Sequence, residues 1–337
     1  MDQNVQNSAQ DVPADQPVEA VVKKHILERR PKTPLEKFKW SVKNYWFIYL
    51  CILPGIISMA VYAYGPMFLQ IWLSFIDYNF AGGLWHSEFV GFGMFRYIFT
   101  EMPDFLTILR NTLWFNVLDT VLGFFPPIIL AVVLFHLNSD FFRKFSQTVL
   151  YLPHFFSWVI VYSIAYALLS ETGAITSILK EVFGYEAEFL TNPNAIVPIL
   201  YIFSTWKTIG WGSIIYLAAM QNIDTALYEA AEMDGCGPWR RIFVVTLPGI
   251  RGVLLYQMIF IIGGIFTGGN TEEILLFYSD ATRSRIETIN TWLYNYGLGY
   301  FEYSPAAALS LVQSVLGMIL VLFANRWMKN KYGVSIW

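Results

Sequence analysis

The sequence predicts an all-α, polytopic membrane protein with six transmembrane helices. Of its 337 residues, 55% are hydrophobic, 18% are aromatic and only 14% are charged, and the mean hydropathy is +0.46. These values lie outside the range of ordinary soluble domains. A span needs about 20 mostly apolar residues, because every backbone polar group must be satisfied within the segment. Six stretches meet this requirement, approximately 46–76, 111–137, 148–170, 195–220, 253–266 with extensions at both ends, and 305–324.

The chain ahead of the first span consists of a polar tail and a basic segment. The first 20 residues contain no apolar core of the kind that a cleavable signal peptide requires. From Glu36 to Trp46, apolar and basic residues interleave, which suits a helix lying at the inner headgroup level. A charged flank that only fixes topology is the alternative. We therefore expect residues 1–44 to form a cytoplasmic tail with an interfacial basic segment, and residues 45–337 to form the six-helix membrane domain.

The distribution of lysine and arginine predicts the orientation. With the N-terminus inside, 16 of the 22 basic residues lie on the cytoplasmic side. Arg96, Lys180, Arg283 and Arg285 fall outside, and Arg110 lies at the outer border. Since basic residues concentrate in cytoplasmic loops, both termini are predicted to be cytoplasmic, in a multi-pass protein of the bacterial cytoplasmic membrane.

Motifs for covalent chemistry or nucleotide hydrolysis do not occur in the sequence. It contains no Walker-type phosphate loop, no G-x-S-x-G elbow and no H-E-x-x-H helix. Cys51 lies in a predicted span and Cys236 in a predicted loop, which argues against a disulfide or a shared metal site. The sequence predicts that the protein is not an enzyme and that it binds neither a cofactor nor a metal.

A polar segment separates the fourth and fifth predicted spans, and it includes EAAEMDGCGPWRRIFVVTLP from Glu229 to Pro248. Asp224 is suited to cap a helix, and Gly235 is suited to end it. Pro238 fits the first turn of a second short helix, and Pro248 is expected to open the fifth span. The segment therefore predicts a compact helix-turn-helix on the cytoplasmic side.

Part of this segment resembles the EAA motif of ABC importer permeases. Glu229-Ala230-Ala231 is followed after three residues by Gly235, and then by Val245-x-Leu247-Pro248. The match departs only at Val245, where isoleucine is usual.

Other segments are similar to LplB-type polysaccharide permeases of the carbohydrate importer class. They are YLPHFFSWV at 151–159, WKTIGWGSIIYLAAMQNID at 206–224, EYSPAAALSLVQSV at 302–315 and the terminal GVSIW. The resemblance implies a type I importer permease fold that transports oligosaccharides or polysaccharide fragments. It further implies a heterodimer with a second, related permease, a cytoplasmic ATPase dimer that carries ATP and Mg, and an extracytoplasmic sugar-binding lipoprotein. No nucleic acid is implied.

The same resemblance implies a coupling role for the loop at 222–248, which would dock on the ATPase. Glu229 would be the polar anchor, and Gly235 would hold the two short helices at their angle. The implied ATPase-coupling residues are Glu229, Ala230, Ala231, Asp234, Gly235, Trp239, Leu247 and Pro248.

Ionisable and polar residues inside the spans are candidates for the substrate path. Asp119 and Lys207 lie roughly 12 and 18 Å from the outer ends of their spans. A mutual contact or a shared water-filled cavity would lower the cost of burying them. The alternative is that backbone carbonyls hold Lys207, while Asp119 is protonated or bonded locally. Aromatic rings can stack on the apolar face of a sugar, and amides can bond to its hydroxyls. The candidates of this kind are Tyr166, Trp206, Trp211, Gln257 and Gln313. For each of them, helix packing or a place in an interfacial aromatic belt is the alternative.

Two other classes of protein compete with the permease interpretation. A secondary transporter would need its own coupling-ion site and repeated halves, and no internal repeat is visible. A membrane-embedded glycan enzyme would need a carboxylate pair or a metal cluster at a membrane face. The external acids Glu272, Glu273 and Asp280 are too ordinary to indicate one.

Overall fold

A computed structural model describes residues 33–265 and 271–333. The predicted tail up to residue 32, Phe266 at the end of the fifth predicted span and most of the terminal GVSIW lie outside the described residues. The chain divides into two compact units, residues 1–69 and 70–337.

The first unit is helical from Pro34 onward. Helix α1 (Pro34–Met59) contains one non-helical residue, Tyr45, with φ −122° and ψ 25°. A π-helical turn at Ala60–Tyr64 leads into α2 (Gly65–Leu73). The turn precedes Pro66, which has no amide hydrogen to continue the regular helical pattern, so the backbone relaxes there.

The second unit begins with short elements and then builds long helices. Two strands, β1 (Ile76–Asp77) and β2 (Glu88–Phe89), pair antiparallel with Ile76 opposite Phe89. The helices up to the polar segment are α3 (Gly83–His86), α4 (Gly93–Thr100), α5 (Phe105–Phe135), α6 (Asp140–Tyr151), a 3-10 turn (Leu152–Phe155), α7 (Trp158–Leu169), α8 (Ala174–Phe183) and α9 (Ile196–Gln221).

The remaining helices follow the end of α9. They are α10 (Thr225–Met233), α11 (Pro238–Arg241), a π-helical turn (Ile242–Thr246), α12 (Leu247–Gly249), α13 (Arg251–Gly263), α14 (Thr271–Leu276), α15 (Arg283–Ile286), α16 (Ile289–Trp292), a second π-helical stretch (Leu293–Gly299) and α17 (Tyr303–Tyr332). The protein is therefore predominantly helical, and the two short strands are the exception to the all-α prediction.

Four helical stretches of the described residues are long and apolar enough to cross a membrane, at 38–73, 105–135, 158–183 and 303–332. The pair 238–249 and 251–262, bent by 68°, raises this number to five if it counts as one span. The fourth predicted span forms α9, with 26 residues, but does not meet this criterion. Polar residues between Ser204 and Thr208 lower its hydropathy.

Two predicted spans need correction. The third was expected at 148–170, but α6 ends at Tyr151 and α7 begins at Trp158. Pro153 lies in the intervening 3-10 turn, and the hydroxyl of Ser157 caps α7 by accepting a hydrogen bond from the amide of Ile160 at 3.3 Å.

The fifth predicted span was expected to open at Pro248. Instead, a helical segment runs through Pro248 to Gly249 and then bends sharply at Ile250, which has φ −98° and ψ 10°. Pro248 lies in the first turn of α12, where a proline does not remove a helical hydrogen bond. The bend between α12 and α13 therefore falls at Ile250 and not at the proline.

The pair α5 and α9 forms the centre of the second unit. Ala131 and Leu134 of α5 pack with Tyr216 and Met220 of α9, and all four are buried. Glycine is required at position 210 of α9, because a Cβ there would lie 2.0 Å from the carbonyl oxygen of Leu150 in α6. The absence of a side chain lets these two helices approach closely.

Candidate functional site: a two-helix module and polar pockets

Helix α10 begins and ends as its sequence predicts. The carboxylate of Asp224 accepts a hydrogen bond from the amide of Ala226 at 2.9 Å, which caps the helix. Gly235 follows the helix with φ +74°, a left-handed conformation that favours glycine.

The turn after α10 is a Schellman motif. The amides of Gly235 and Cys236 donate to the carbonyls of Glu232 and Ala231, each at 2.9 Å. Helix α11 then starts at Pro238 in the first turn. The two short helices and the turn between them form as predicted, whereas their cytoplasmic placement stays a prediction. Residues 224–249 are called the two-helix module below.

Side chains fix the two arms of the module to each other. Arg241 pairs with Glu232 at 3.0 Å, and the hydroxyls of Tyr228 and Thr246 lie 2.9 Å apart. Val245, the one departure from the usual motif, is buried. These contacts connect α10 to the segment 241–246, so the two arms form one connected unit.

The module's surface is apolar and exposed. Trp239 is 80% exposed and Met233 is 88% exposed, and Phe243 and Leu227 are also exposed. Of the other predicted coupling residues, Ala231 is buried and Leu247 is half-buried, whereas Glu229, Ala230, Asp234, Gly235 and Pro248 are exposed. The exposed surface of the module therefore combines apolar side chains with the charged Glu229 and Asp234.

Lys207 lies in an environment of its own. Its Nζ donates to the carbonyl oxygen of His154 at 2.9 Å and lies 5.3 Å from the centroid of the Trp158 ring. Trp211 stacks on the His154 imidazole, with ring centroids 4.3 Å apart. Within the described residues no ion pair joins Lys207 to Asp119. Lys207 is also absent from the lining of the cavity that contains Asp119. Of the alternatives for Lys207, the structure shows the backbone carbonyl partner.

Asp119 lines a polar cavity of about 300 Å³ between α5 and α9. The cavity is lined by Asp119, Leu122, Gly123, Tyr201, Ser204, Thr205 and Thr208. The hydroxyl of Tyr201 donates to the carbonyl of Phe115 at 3.2 Å. Asp119 thus shares its cavity with hydroxyl groups that can also bond to a sugar.

Asp119 also lies near a second carboxylate that sequence reasoning dismissed. A small void of about 10 Å³ is lined by both Asp119 and Glu273. Glu273 is only 4% exposed, so the expectation of an ordinary external acid was wrong. It lies in the first turn of α14, whose Ile274 packs in one cluster with Phe115 of α5 and Leu200 of α9.

The other predicted path residues are scattered. Tyr166 and Trp206 are exposed, and Gln257 is half-buried on α13. Gln313 is buried, and its Nε2 donates to Oδ1 of Asn290 at 3.0 Å. Asn290 in turn lines a void of about 10 Å³ together with Asp119. Of the seven predicted path residues, Lys207 and Trp211 therefore meet around His154, and Gln313 reaches the Asp119 region through Asn290.

Two other cavities are larger than the Asp119 cavity. One is lined by residues that follow α14, and the other lies at the end of α9 that is remote from the module. The first, of about 650 Å³, is lined by Tyr278, Asp280, Arg283, Tyr294, Asn295, Tyr296, Leu298, Gly299 and Tyr300. Arg283 pairs with Glu287 at 3.0 Å and donates to the hydroxyl of Tyr296 at 2.7 Å. Burial and the Glu287 carboxylate raise the pKa of Tyr278, which donates to that carboxylate at 3.0 Å.

The second, called the two-arginine pocket below, has a volume of about 430 Å³. It is lined by Arg110, Asn111, Trp114, Pro193, Asn194, Val197, Pro198 and Arg285. Sequence reasoning used both arginines for topology alone, since nothing in the sequence brings two residues so far apart together.

A sequence signal did exist for the hydroxyl groups of the Asp119 cavity. Tyr201, Ser204 and Thr208 recur at helical spacing and therefore share one face of α9.

The helical fold, the apolar spans and the two-helix module define a polytopic membrane component of a transport system. Residues 123–330 match the family described as "Binding-protein-dependent transport system inner membrane component", and the chain belongs to that family. The expected class, an ABC importer permease, is confirmed, and such a protein is a transport component rather than an enzyme.

Similar proteins cover most of the chain. The "Polygalacturonan/rhamnogalacturonan transport system permease protein YteP" of Bacillus subtilis (strain 168) is 38% identical, over 85% of this chain and 88% of the relative. "Protein LplB" of the same organism is 36% identical, over 85% and 89%. A chain of a bacterial alginate ABC transporter, crystallised with an alginate pentasaccharide-bound periplasmic protein, superposes with a TM-score of 0.80 at 32% identity, over 88% of this chain and 98% of that chain.

Proposed function

We propose that this chain is the permease subunit of an ATP-driven importer for oligosaccharides or polysaccharide fragments. The single observation that carries the coupling part of the proposal is the exposed, rigid two-helix module with Glu229 and Gly235 at the positions of the EAA motif. The glycan part is supported by relatives named for polygalacturonan and arabinooligosaccharides, and by the alginate transporter.

The proposed assembly supplies what this chain lacks. A second, homologous permease forms the path with this one, and a cytoplasmic ATPase dimer binds ATP and Mg. An extracytoplasmic lipoprotein delivers the sugar, in line with the periplasmic protein bound to the similar alginate transporter. We place residues 1–44 and both termini in the cytoplasm of a bacterial cell, and we count six spans in 45–337 by including α9 and the bent pair.

The loop at 222–248, which contains most of the two-helix module, would couple ATP hydrolysis to transport. ATP closes the ATPase dimer, the docked modules move together, and the permease pair changes from an inward-facing to an outward-facing state. This is a two-state rigid-body change that is biased by ligands. The links between α10 and the stretch 241–246 fit this role, because they keep the module from deforming as it moves.

Inside the bilayer we propose that the Asp119 cavity belongs to the substrate path. Its hydroxyl groups and carboxylate can exchange hydrogen bonds with sugar hydroxyls. Tyr166, Trp206, Lys207, Trp211, Gln257 and Gln313 stay proposed path residues. A secondary transporter of a polar solute is the alternative function, and it would leave the module without a purpose.

Co-purification with the ATPase tests the proposal. We expect Glu229→Ala to insert normally in the membrane while it retains much less ATPase than the wild type. Glu272→Ala, which removes another exposed acid outside the module, is the matched control and should retain the wild-type amount. Normal ATPase association and normal sugar-stimulated hydrolysis in Glu229→Ala would refute the coupling role.

A further inference from the structure

The two-arginine pocket lies at the end of α9 that is remote from the two-helix module. Arg110 and Trp114 belong to the first turns of α5, and Asn194 lies just before α9. Arg285 lies in α15. Helix α9 is 26 residues long, so about 39 Å of helix lies between this pocket and the module. If the module is cytoplasmic, the pocket faces the side from which substrate arrives.

In the part of the chain that the structure describes, neutral amides and not carboxylates accept hydrogen bonds from the arginines of the pocket. Arg285 donates to Oδ1 of Asn194 at 3.0 Å, and Arg110 donates to Oδ1 of Asn111 at 3.3 Å. Both partners are neutral amides, and no acidic side chain is among the residues that line the pocket. None of the ion pairs in the described part of the chain includes either arginine.

The neighbouring Arg283, in the same short helix α15, has a carboxylate partner. Its Nε donates to the buried Glu287 at 3.0 Å, and its Nη2 donates to Tyr296. Among residues 33–265 and 271–333, Arg283 thus has a carboxylate partner and Arg285, two residues later, has none. A guanidinium group has five N–H donors, so Arg110 and Arg285 both keep donors for a further acceptor.

Buried hydrogen bonds hold the walls of the pocket in place. Nδ2 of Asn111 donates to the carbonyl oxygens of Ser284 and Glu287, both at 3.1 Å. These two bonds attach α15, which carries Arg285, to the start of α5. The hydroxyl of Thr112 accepts the amide of Ile289 at 2.8 Å. The two arginines therefore belong to a preorganised site, although they lie 175 positions apart in the sequence.

The rest of the wall is apolar or aromatic. Trp114 is 57% exposed, and Pro193, Val197 and Pro198 complete the lining. A pyranose ring combines an apolar face, which stacks on an aromatic ring, with a rim of hydroxyls that bond to amides. Two arginines beside such a platform add the planar donors that match a carboxylate.

We propose that this pocket binds a uronic acid unit, with the sugar carboxylate between Arg110 and Arg285 and the ring against Trp114. The inference rests on the proposed function, and it narrows the substrate to acidic oligosaccharides that enter the permease at this end of α5 and α9. The volume of about 430 Å³ lies within the range of small-molecule sites, which is about 300–1,000 Å³.

An acidic side chain of the lipoprotein is the competing occupant. The concave shape, the exposed tryptophan and the amide of Asn194 favour a sugar, because a protein carboxylate alone would leave this apolar wall unused. The two occupants differ in one measurable respect. Only the sugar makes the effect of the arginines depend on the charge of the substrate.

The test compares matched acidic and neutral glycans in the complete transporter. The importer, with its lipoprotein, partner permease and ATPase, is reconstituted in proteoliposomes. ATP-dependent uptake is measured for oligogalacturonates and oligoalginates, for their methyl esters, and for neutral oligosaccharides. The variants are Arg110→Gln/Arg285→Gln, Arg110→Lys/Arg285→Lys and, as a control for surface charge, Arg96→Gln.

We expect the wild type to prefer an acidic glycan over its methyl ester, and the double glutamine variant to lower this preference by about tenfold or more. Hydrogen bonds to charged groups contribute about 1.5–3 kcal/mol, and 1.4 kcal/mol corresponds to tenfold. The lysine variant should retain an intermediate preference, since it keeps the charge and loses the planar geometry. Arg96→Gln should retain the wild-type preference.

Three results would overturn the inference. Uptake of neutral glycans but of no acidic one would exclude a uronate site. An unchanged preference in the double glutamine variant would show that the arginines do not contact the carboxylate. An equal loss of acidic and neutral uptake, together with weaker lipoprotein binding, would assign the pocket to protein docking. Failure of the wild type to import any glycan would instead refute the proposed function, on which the inference rests.

Discussion

Lys207 shows how a single residue accommodates a charge inside the helix bundle. It is 8% exposed, and a charge at such a position is costly without partners. The carbonyl oxygen of His154 accepts a hydrogen bond from Nζ at 2.9 Å, and the centroid of the Trp158 ring lies 5.3 Å from Nζ. The charge therefore ties α9 to the 3-10 turn and to the start of α7. A structural bond of this kind does not require Asp119.

This arrangement makes a prediction about coupling energies. Lys207→Met should lower the free energy of unfolding by about 1–3 kcal/mol, because it removes a charge-assisted hydrogen bond. The effects of Lys207→Met and Asp119→Leu should add within about 0.5 kcal/mol, since they do not share a partner. The measurement is a double-mutant cycle on the purified protein in detergent.

A second cycle serves as the positive control. Lys207→Met and Trp158→Leu should couple by about 0.5–2 kcal/mol, the usual range for a cation–π contact. A larger coupling between Lys207 and Asp119 than between Lys207 and Trp158 would contradict the structure.

At the scale of elements, the two-helix module depends on one backbone conformation. Gly235 has φ +74° and Gly237 has φ −65°, and a Cβ added to either would meet no atom within 4 Å. The two positions therefore differ in backbone angle and not in available space. They form a matched pair for testing the turn.

We expect Gly235→Val to weaken the module and Gly237→Val to be tolerated. A β-branched residue in the left-handed region costs at least about 1–2 kcal/mol, whereas the extended conformation of Gly237 suits valine. The readouts are ATPase association and sugar-stimulated hydrolysis, both of which should fall in Gly235→Val. An equal loss in both variants would show that the conformation of Gly235 is not what matters.

The elements differ in how far the sequence could predict them. The cap at Asp224, the turn at Gly235 and the start at Pro238 are local, so each could be read from neighbouring residues. The start of α7 was misplaced because a hydropathy window cannot weigh the Ser157 cap against the apolar residues before it. Lys207 and His154 lie 53 positions apart, and the two arginines of the pocket lie farther still. Such contacts depend on helix packing, which periodicity does not encode.

In the whole molecule, we expect the two-helix module and the two-arginine pocket to lie on opposite sides of the membrane. The positive-inside distribution supports this placement. It can be tested in a background without Cys51 and Cys236, both of which are free.

Single cysteines at Ser139 or Gly237 should react with an impermeant reagent only after the inner face is exposed. A cysteine at Ala281 should react in intact cells. All three positions are exposed in the structure, so access to the side chain does not differ among them. Labelling of position 237 in intact cells would overturn the orientation and the coupling role with it.

The energy source of transport tests the central claim most directly. The complete transporter is reconstituted in vesicles with the lipoprotein outside, and uptake of neutral and acidic oligosaccharides is followed with ATP and Mg inside. Our account predicts uptake that requires internal ATP, persists when proton and sodium gradients are dissipated, and is lost when the ATPase is omitted. Uptake by this chain without the ATPase, driven by an ion gradient, would contradict it and identify a secondary transporter.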